Sequence, residues 1–205
     1  MKSAIGFYWT LPVPWAGFTE LPEDPDEAAV VSQTIRYQRE LVHRYARENR
    51  WRIVDEITFL ELEFDRASNY VRDPLERVAP RCQELDAHLL VVDFTVLHGS
   101  RSHYPMLSMA EKLGLDVVMI AADPVLLDGE RFDPYQHFRD WRDRQQEWVQ
   151  SKPARRAALK AQIAELRDRG MTYVTIARRL NDLGIPSITG KPHTADSVRK
   201  VVTAV

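Results

Sequence analysis

Four short, mostly apolar runs constrain the fold of this chain more than any other feature of its sequence. The run HLLVV at residues 88–92 lacks alternating polar positions, which is typical of a strand buried on both faces of a parallel sheet. The four runs occupy residues 4–9, 51–57, 88–92 and 115–120. Apolar residues recur at helical spacing in residues 26–48, 74–85 and 105–113. Strands that alternate with helices predict an α/β domain with a parallel sheet up to about residue 122.

The rest of the chain divides into a loop, a connecting helix and a helical C-terminal segment. Four prolines in residues 11–25 predict a loop, because proline lacks the backbone donor that helices and central strands need. Phe138, Trp141 and Trp148 are spaced to share one helical face, which we interpret as a seam between two protomers. The expected boundaries are 1–125 for the α/β domain, 126–153 for the connecting and dimerisation helix, and 154–205 for a small all-α domain.

The charge of the chain is distributed unevenly. Residues 154–205 contain ten Lys or Arg against four Asp or Glu, a net charge of +6, whereas the whole chain carries −2. A basic end on an acidic body points to a nucleic-acid partner. The single cysteine excludes an internal disulfide. No apolar run approaches the roughly 18 residues of a membrane helix, so we expect a cytoplasmic, nucleoid-associated protein that does not bind a membrane.

The C-terminal segment carries the pattern of three short amphipathic helices. Thr172 and Thr194 are good N-caps, because a threonine hydroxyl accepts a free backbone N–H at a helix start. Gly170 and Gly184 suit the ends of the first two helices, since glycine tolerates the left-handed backbone there. The small side chain of Ala177 allows two helices to cross closely. The expected apolar positions are Leu159, Ile163, Leu166, Val174, Ile176, Ala177, Leu180, Leu183, Val198, Val201 and Val202.

Three short helices in this order predict a helix-turn-helix, whose exposed helix enters the major groove of DNA. Polar residues at the start of the third helix are candidates for contacts with base edges: His193, Thr194, Asp196 and Ser197. Cations suited to backbone phosphates are Arg178, Arg179, Lys191, Arg199 and Lys200. Thr172, at the start of the second helix, is a further DNA-binding candidate. A three-helix bundle that docks on protein is the alternative interpretation.

Two segments resemble the DNA-binding part of the serine recombinases, the resolvase and invertase family. Residues 169–187, RGMTYVTIARRLNDLGIPS, match the family's I-A-x-x-L-N segment and G-I-P-[ST] turn, and residues 190–200, GKPHTADSVRK, continue the match. The stretches that resemble the family's catalytic domain are residues 6–8, 33–38, 45–47, 72–75 and 86–92. The resemblance implies a resolvase-like parallel-sheet domain followed by a small helix-turn-helix domain that binds DNA.

The catalytic residues that this resemblance implies are missing. Family members carry an R-[VL]-S motif after the first strand, where the serine attacks a DNA phosphodiester, but residues 9–11 here are WTL. Val96 and Gly99 stand where the family has arginines, and Glu61 or Glu63 stands near the family's aspartate. Strand exchange needs a covalent nucleophile and positive charge on the phosphate. We therefore expect a pseudoenzyme whose fold is retained for dimerisation.

Three other features of the sequence are candidate sites of chemistry. Thr10 is a candidate substitute nucleophile, and Arg72 is a candidate phosphate ligand. Residues 98–103 combine two histidines, two serines and an arginine, but zinc usually needs four donors, so a solvated loop is favoured over a metal or phosphate site. No phosphate-cradling glycine motif occurs, and we expect no cofactor.

These observations together predict a homodimer that binds double-stranded DNA sequence-specifically, as a transcriptional regulator or DNA-architecture factor. A divergent, active site-specific recombinase is the first alternative, and a covalent protein–DNA adduct would support it. A protein-interaction module is the second. Binding to DNA through phosphates weakens steeply with salt, so binding that ignores salt would support the second alternative.

Overall fold

The computed structural model describes residues 1–61, 71–95 and 104–203, and the chain divides into two compact units. The N-terminal unit comprises Met1–Pro12 and Glu20–Arg139. The C-terminal unit comprises Val13–Thr19 and Asp140–Val205. The division after Arg139 precedes the break predicted at Pro153, and part of the proline-rich loop groups with the C-terminal residues.

A four-stranded parallel sheet forms the core of the N-terminal unit. The strands are β1 (Ser3–Thr10), β2 (Arg52–Leu60), β3 (Ala87–Asp93) and β4 (Val117–Ala121), in the order β2-β1-β3-β4. All three pairings are parallel. The central strands β1 and β3 are almost continuously buried, as expected of parallel strands covered on both faces. The prediction of an α/β fold with a parallel sheet is confirmed.

Four helices accompany this sheet: α1 (Pro25–Val31), α2 (Gln33–Asn49), α3 (Arg72–Leu85) and α4 (Tyr104–Lys112). The single helix predicted for residues 26–48 is wrong, because Ser32 separates α1 from α2. Ser32 has an extended backbone, and its hydroxyl accepts the N–H of Ile35, so it caps α2. Both α2 and α3 contact β1, β2 and β3. The connections from β1 to β2 and from β2 to β3 run in opposite directions across the sheet, so right-handed crossovers place α2 and α3 on opposite faces.

A β-hairpin occupies the start of the segment predicted as a connecting helix. Its strands are β5 (Val125–Leu127) and β6 (Glu130–Phe132). Asp128 and Gly129 between them have φ values of 52° and 85°, as a two-residue turn of the hairpin type requires. The expectation of a helix from residue 126 is corrected accordingly, since helix α5 (Pro134–Gln150) begins after the hairpin.

Three helices build the core of the C-terminal unit: α6 (Lys152–Asp168), α7 (Tyr173–Asp182) and α8 (Ala195–Thr203). The buried core residues are Leu159, Ile163, Leu166, Ile176, Ala177, Leu180 and Val198, all of them predicted. Val174 and Leu183 were also predicted as core positions, but they are 60% and 59% exposed. Val174 lies two residues before Ile176, roughly 200° around the helix. Leu183 lies beyond the last residue of α7.

The proline-rich loop contributes one short turn, Pro14–Ala16, to the C-terminal unit. The ring of Trp15 packs against that of Trp141, with centroids 5.8 Å apart. Pro14 lies against Gly190, which is buried and has a φ of 81°. A Cβ on Gly190 would lie 2.5 Å from the carbonyl oxygen of Pro14, so only glycine fits there. The tip of this loop is therefore packed against the C-terminal helices and their connecting segment.

Candidate nucleic-acid interface

The carboxyl end of β1 holds Thr10, the candidate substitute nucleophile. Thr10 is 3% exposed, and its hydroxyl oxygen accepts a hydrogen bond from Ser32 at 3.1 Å. Arg72, the candidate phosphate ligand, is the exposed first residue of α3. No hydrogen bond or ion pair links Thr10 to Arg72 in the part of the chain that the structure describes. The two candidates therefore do not form a nucleophile beside a cation.

Aromatic rings lie beyond the carboxyl ends of β1 and β3, where a parallel sheet of this order usually binds a ligand. The strand order reverses between β1 and β3, and ligands of open α/β sheets bind beyond the carboxyl ends of the strands at such a point. Trp9 packs edge-on against Phe94, with centroids 5.3 Å apart, and Phe94 against Phe138 at 5.0 Å. Phe94 and Tyr37 are fully buried. Among the described residues, apolar packing covers the carboxyl ends of β1 and β3.

The buried amide of Gln38 completes the hydrogen bonding of β1 beyond the end of its pairing with β3. That pairing stops at Phe7. The N–H of Trp9 donates to Gln38 Oε1 at 3.2 Å, and Gln38 Nε2 donates to the carbonyl of Trp9 at 2.6 Å. Nε2 also donates to the carbonyl of Thr34. An unpaired buried backbone group is costly, so Gln38 stabilises the strand end in place of a neighbouring strand.

Glu56 is the centre of a polar cluster between the sheet and α2. Its carboxylate accepts hydrogen bonds from Tyr8, His43 and two nitrogens of Arg39, all at 2.8–2.9 Å. Burial alone would raise the pKa of Glu56, but the hydrogen bonds from His43, Arg39 and Tyr8 outweigh it and lower the pKa to about 2. The fully buried Tyr8 lies over Gly6, where a Cβ would lie 2.1 Å from the phenol oxygen. The carboxylate of Glu56 is thus fully occupied by hydrogen bonds within the protein, which is typical of a structural network.

Two helix starts in the C-terminal unit are capped as predicted. The hydroxyl of Thr172 accepts the N–H of Thr175 at 3.2 Å. At α8, the hydroxyl of Thr194 accepts the N–H of Ser197, and the hydroxyl of Ser197 accepts the N–H of Thr194, at 3.1 and 2.9 Å. This reciprocal pair is a capping box formed with a serine in the second position. The hydroxyls of Thr194 and Ser197 therefore have structural partners in addition to any contact with a base.

His193 was predicted to face outward, but the structure places it inward at 5% exposure. Its Nε2 lies 3.1 Å from the carbonyl of Ile185 and must donate there, because a carbonyl only accepts. Asn181 holds the backbone of His193 from the end of α7: its Oδ1 accepts the N–H at 2.7 Å, and its Nδ2 donates to the carbonyl at 3.0 Å. Burial lowers the pKa of His193, against the opposing effect of the Ile185 and Pro186 carbonyls. The prediction that this side chain contacts a base is therefore corrected: His193 has a structural role.

The candidate phosphate-binding cations fall into two groups. Arg178, Arg179 and Lys191 are exposed, and no ion pair involves them within residues 1–61, 71–95 and 104–203. Arg199 and Lys200 are also exposed, but both lie 2.7 Å from the carboxylate of Asp196 one turn earlier on α8. Exposed ion pairs of this kind contribute little to stability, so another anion can readily replace Asp196. All five cations are therefore accessible to a polyanion.

The tryptophans predicted to form a seam between protomers have partners within the chain. Trp141 packs on Trp15. The guanidinium of Arg155 lies 3.3 Å from the ring centroid of Trp148 and donates to the carbonyl of Trp148. Phe138, the third predicted member, is 2% exposed. Their helical spacing signals burial within one chain equally well, and it could not distinguish the two arrangements.

Sequence reasoning overlooked two cations at the start of α6. Lys152 and Arg156 line a cleft together with Lys200 and His193. The available signal was their spacing of four residues, which places both side chains on one face of a helix. The side chains of Gln38, Glu56 and Asn181 were overlooked as well, because their partners are distant in sequence.

The remaining candidates lie partly outside the described residues. Glu63, Val96, Gly99 and residues 98–103 lie outside the described residues. Glu61 is 9% exposed, and its N–H donates to the carbonyl of Thr10 at 2.9 Å. Within the described ranges, no group of three or more His, Cys, Asp or Glu side chains could hold a metal ion. None of the helices described has the length and apolar character needed to cross a bilayer.

The chain was compared with protein families, with curated proteins and with solved structures. None of the three comparisons finds a match.

Proposed function

We propose that this protein binds double-stranded DNA through its C-terminal unit, with α7 and α8 acting as a helix-turn-helix and α8 entering the major groove. The observation that carries the proposal is the set of exposed cations Arg178, Arg179 and Lys191, which form no ion pair with any described residue and are close in sequence to a capped helix with a polar face. Residues 183–194 between α7 and α8 exceed the three or four residues of a short-turn motif. The double hydrogen bond of Asn181 supports a defined position for the start of α8 despite this length.

The proposed active form is a homodimer that regulates transcription or shapes DNA. The resemblance to serine recombinases supports this, because members of that family act on DNA as assemblies of identical subunits. Two copies of α8 would read two half-sites, and joining two weak contacts in one body raises the overall affinity. Sedimentation of the full chain tests this part: a species of twice the chain mass supports it, and a monomer with and without duplex contradicts it.

We further infer that the N-terminal unit, a degenerate resolvase-like domain in this proposal, does not cleave DNA. The buried hydroxyl of Thr10 and the aromatic packing beyond β1 support this, since a nucleophile must reach a phosphodiester beside positive charge. Incubation with a nicked suicide duplex should yield no covalent adduct on a denaturing gel. An adduct that disappears with Thr10→Val would establish the divergent-recombinase alternative.

The binding proposal is tested by fluorescence anisotropy with a labelled duplex. Replacing both Arg178 and Arg179 with Ala should weaken binding at least tenfold, because each cation that contacts a phosphate contributes to affinity. The matched control removes two exposed cations from the N-terminal unit, Arg77→Ala with Lys112→Ala, and should bind as the unchanged chain does. Equal affinities for all three proteins would contradict the assignment of this surface.

A further inference from the structure

A cleft of about 500 Å³ in the C-terminal unit combines positive charge with buried polar groups. Residues of α6, of α8 and of the segment between α7 and α8 line it. The lining residues that matter for its chemistry are Lys152, Arg156, Ser187, His193, Ser197 and Lys200. Three of these carry a positive charge, and none carries a negative one.

The two cations of α6 have no anionic partner of their own. Neither Lys152 nor Arg156 forms an ion pair among the residues that the structure describes. Lys200 pairs with Asp196, but that carboxylate does not line the cleft, and the pair is exposed. An anion in the cleft would be attracted by all three cations.

Two polar side chains at this cleft are more than nine-tenths buried. Ser187 is 7% exposed and His193 is 5% exposed. The Nδ1 atom of His193 is buried without a hydrogen-bond partner. Because Nε2 donates to Ile185, Nδ1 is an acceptor in the neutral ring and becomes a donor when the ring gains a proton. Ser187 and His193 therefore make one wall of the cleft a fixed part of the fold.

We propose that this cleft binds a phosphate group, with Lys152, Arg156 and Lys200 neutralising its charge. Lysine and arginine donors match the oxygens of a phosphate, and three cations exceed what a carboxylate requires. The phosphate has two possible sources, the backbone of a duplex or a free phosphate compound. The duplex source rests on the proposed function, whereas the free source does not.

The test uses the full chain and a variant in which Lys152→Ala is combined with Arg156→Ala. Both residues are exposed, so the fold should tolerate the change, and equal melting temperatures check this. The control, Lys160→Ala with Arg169→Ala, removes two exposed cations of the same helical region that do not line the cleft. Each protein is titrated with inorganic phosphate, monitored by the NMR shifts of the His193 ring, and separately with a labelled duplex.

The unchanged chain and the control should bind inorganic phosphate with the same affinity, and the cleft variant should bind at least tenfold more weakly. A matching tenfold loss of duplex affinity in the cleft variant identifies the backbone as the source. If the cleft variant loses phosphate binding but the unchanged chain binds no duplex, the source is a free phosphate compound. That result disproves only the proposed function. No perturbation of His193 by phosphate, or equal binding by all three proteins, overturns the cleft assignment.

Discussion

Gln38 and Asn181 make the same pair of side-chain hydrogen bonds to the backbone in two different regions of the molecule. Each carboxamide hydrogen-bonds both the N–H and the carbonyl of one distant residue, Trp9 for Gln38 and His193 for Asn181. Gln38 is fully buried, and the residue that it holds belongs to an aromatic core. Asn181 is exposed, and the residue that it holds precedes a helix with an exposed polar face.

The difference separates a region built for packing from a region available for binding. At the end of β1, polar groups are satisfied internally and rings fill the remaining space. Around α7 and α8, cations and helix caps face solvent over a small apolar core. We therefore expect substitutions in the first region to change the free energy of unfolding, and charge substitutions in the second to change binding while stability stays nearly constant.

The largest expected effect is that of Gln38→Ala. The substitution leaves the N–H and carbonyl of Trp9 unpaired in a buried environment and opens a cavity, a combined cost of about 4 kcal/mol in the free energy of unfolding. Urea denaturation of the full chain measures this, with Gln33→Ala, an exposed glutamine of the same helix, as the control. A loss below about 1 kcal/mol would mean that water reaches this strand end, contrary to the packed arrangement.

Glu56→Gln should have the next largest effect, and it should depend on pH. The pKa of Glu56 is lowered from 4.5 to about 2, so its contribution is present above pH 4.5 and is lost as the pH falls through 2. Allowing for partial solvent exposure, we expect a loss of about 2 kcal/mol at pH 7. Denaturation of both proteins from pH 7 down to pH 2 should show the two stabilities converging in acid. For Glu40→Gln, a carboxylate of α2 whose side chain is more exposed than that of Glu56, the loss should be small at every pH.

Asn181→Ala should lower the free energy of unfolding the least, by about 1 kcal/mol. Like Gln38→Ala, it removes two hydrogen bonds to the backbone of one distant residue. Water can replace the amide at an exposed position, so no buried group is left unpaired. Hydrogen exchange of the His193 amide should accelerate, whereas exchange in the core of α6 should change little. A loss as large as that of Gln38→Ala would remove the contrast between the two regions.

Local patterns predicted the sheet and the three C-terminal helices, because apolar period and capping residues act over a few neighbours. Ser32 shows the limit of this reasoning: an apolar stripe at helical spacing continues across it, and only its capping hydrogen bond reveals the break. The Asp128-Gly129 turn was visible in the sequence and was overlooked. The inward position of His193 depends on Asn181, twelve residues earlier, and no periodicity encodes such a contact. The resemblance to serine recombinases remains a prediction.

The dependence of duplex affinity on salt tests the account most directly. If the C-terminal cations bind backbone phosphates, the logarithm of the binding constant should fall with the logarithm of salt concentration by about 0.9 for each contacted phosphate. The slope should become less steep by about 2 when Arg178 and Arg179 are both replaced with Ala. A slope near zero for the unchanged chain, or the same slope for the variant, would contradict the claim that this surface binds DNA.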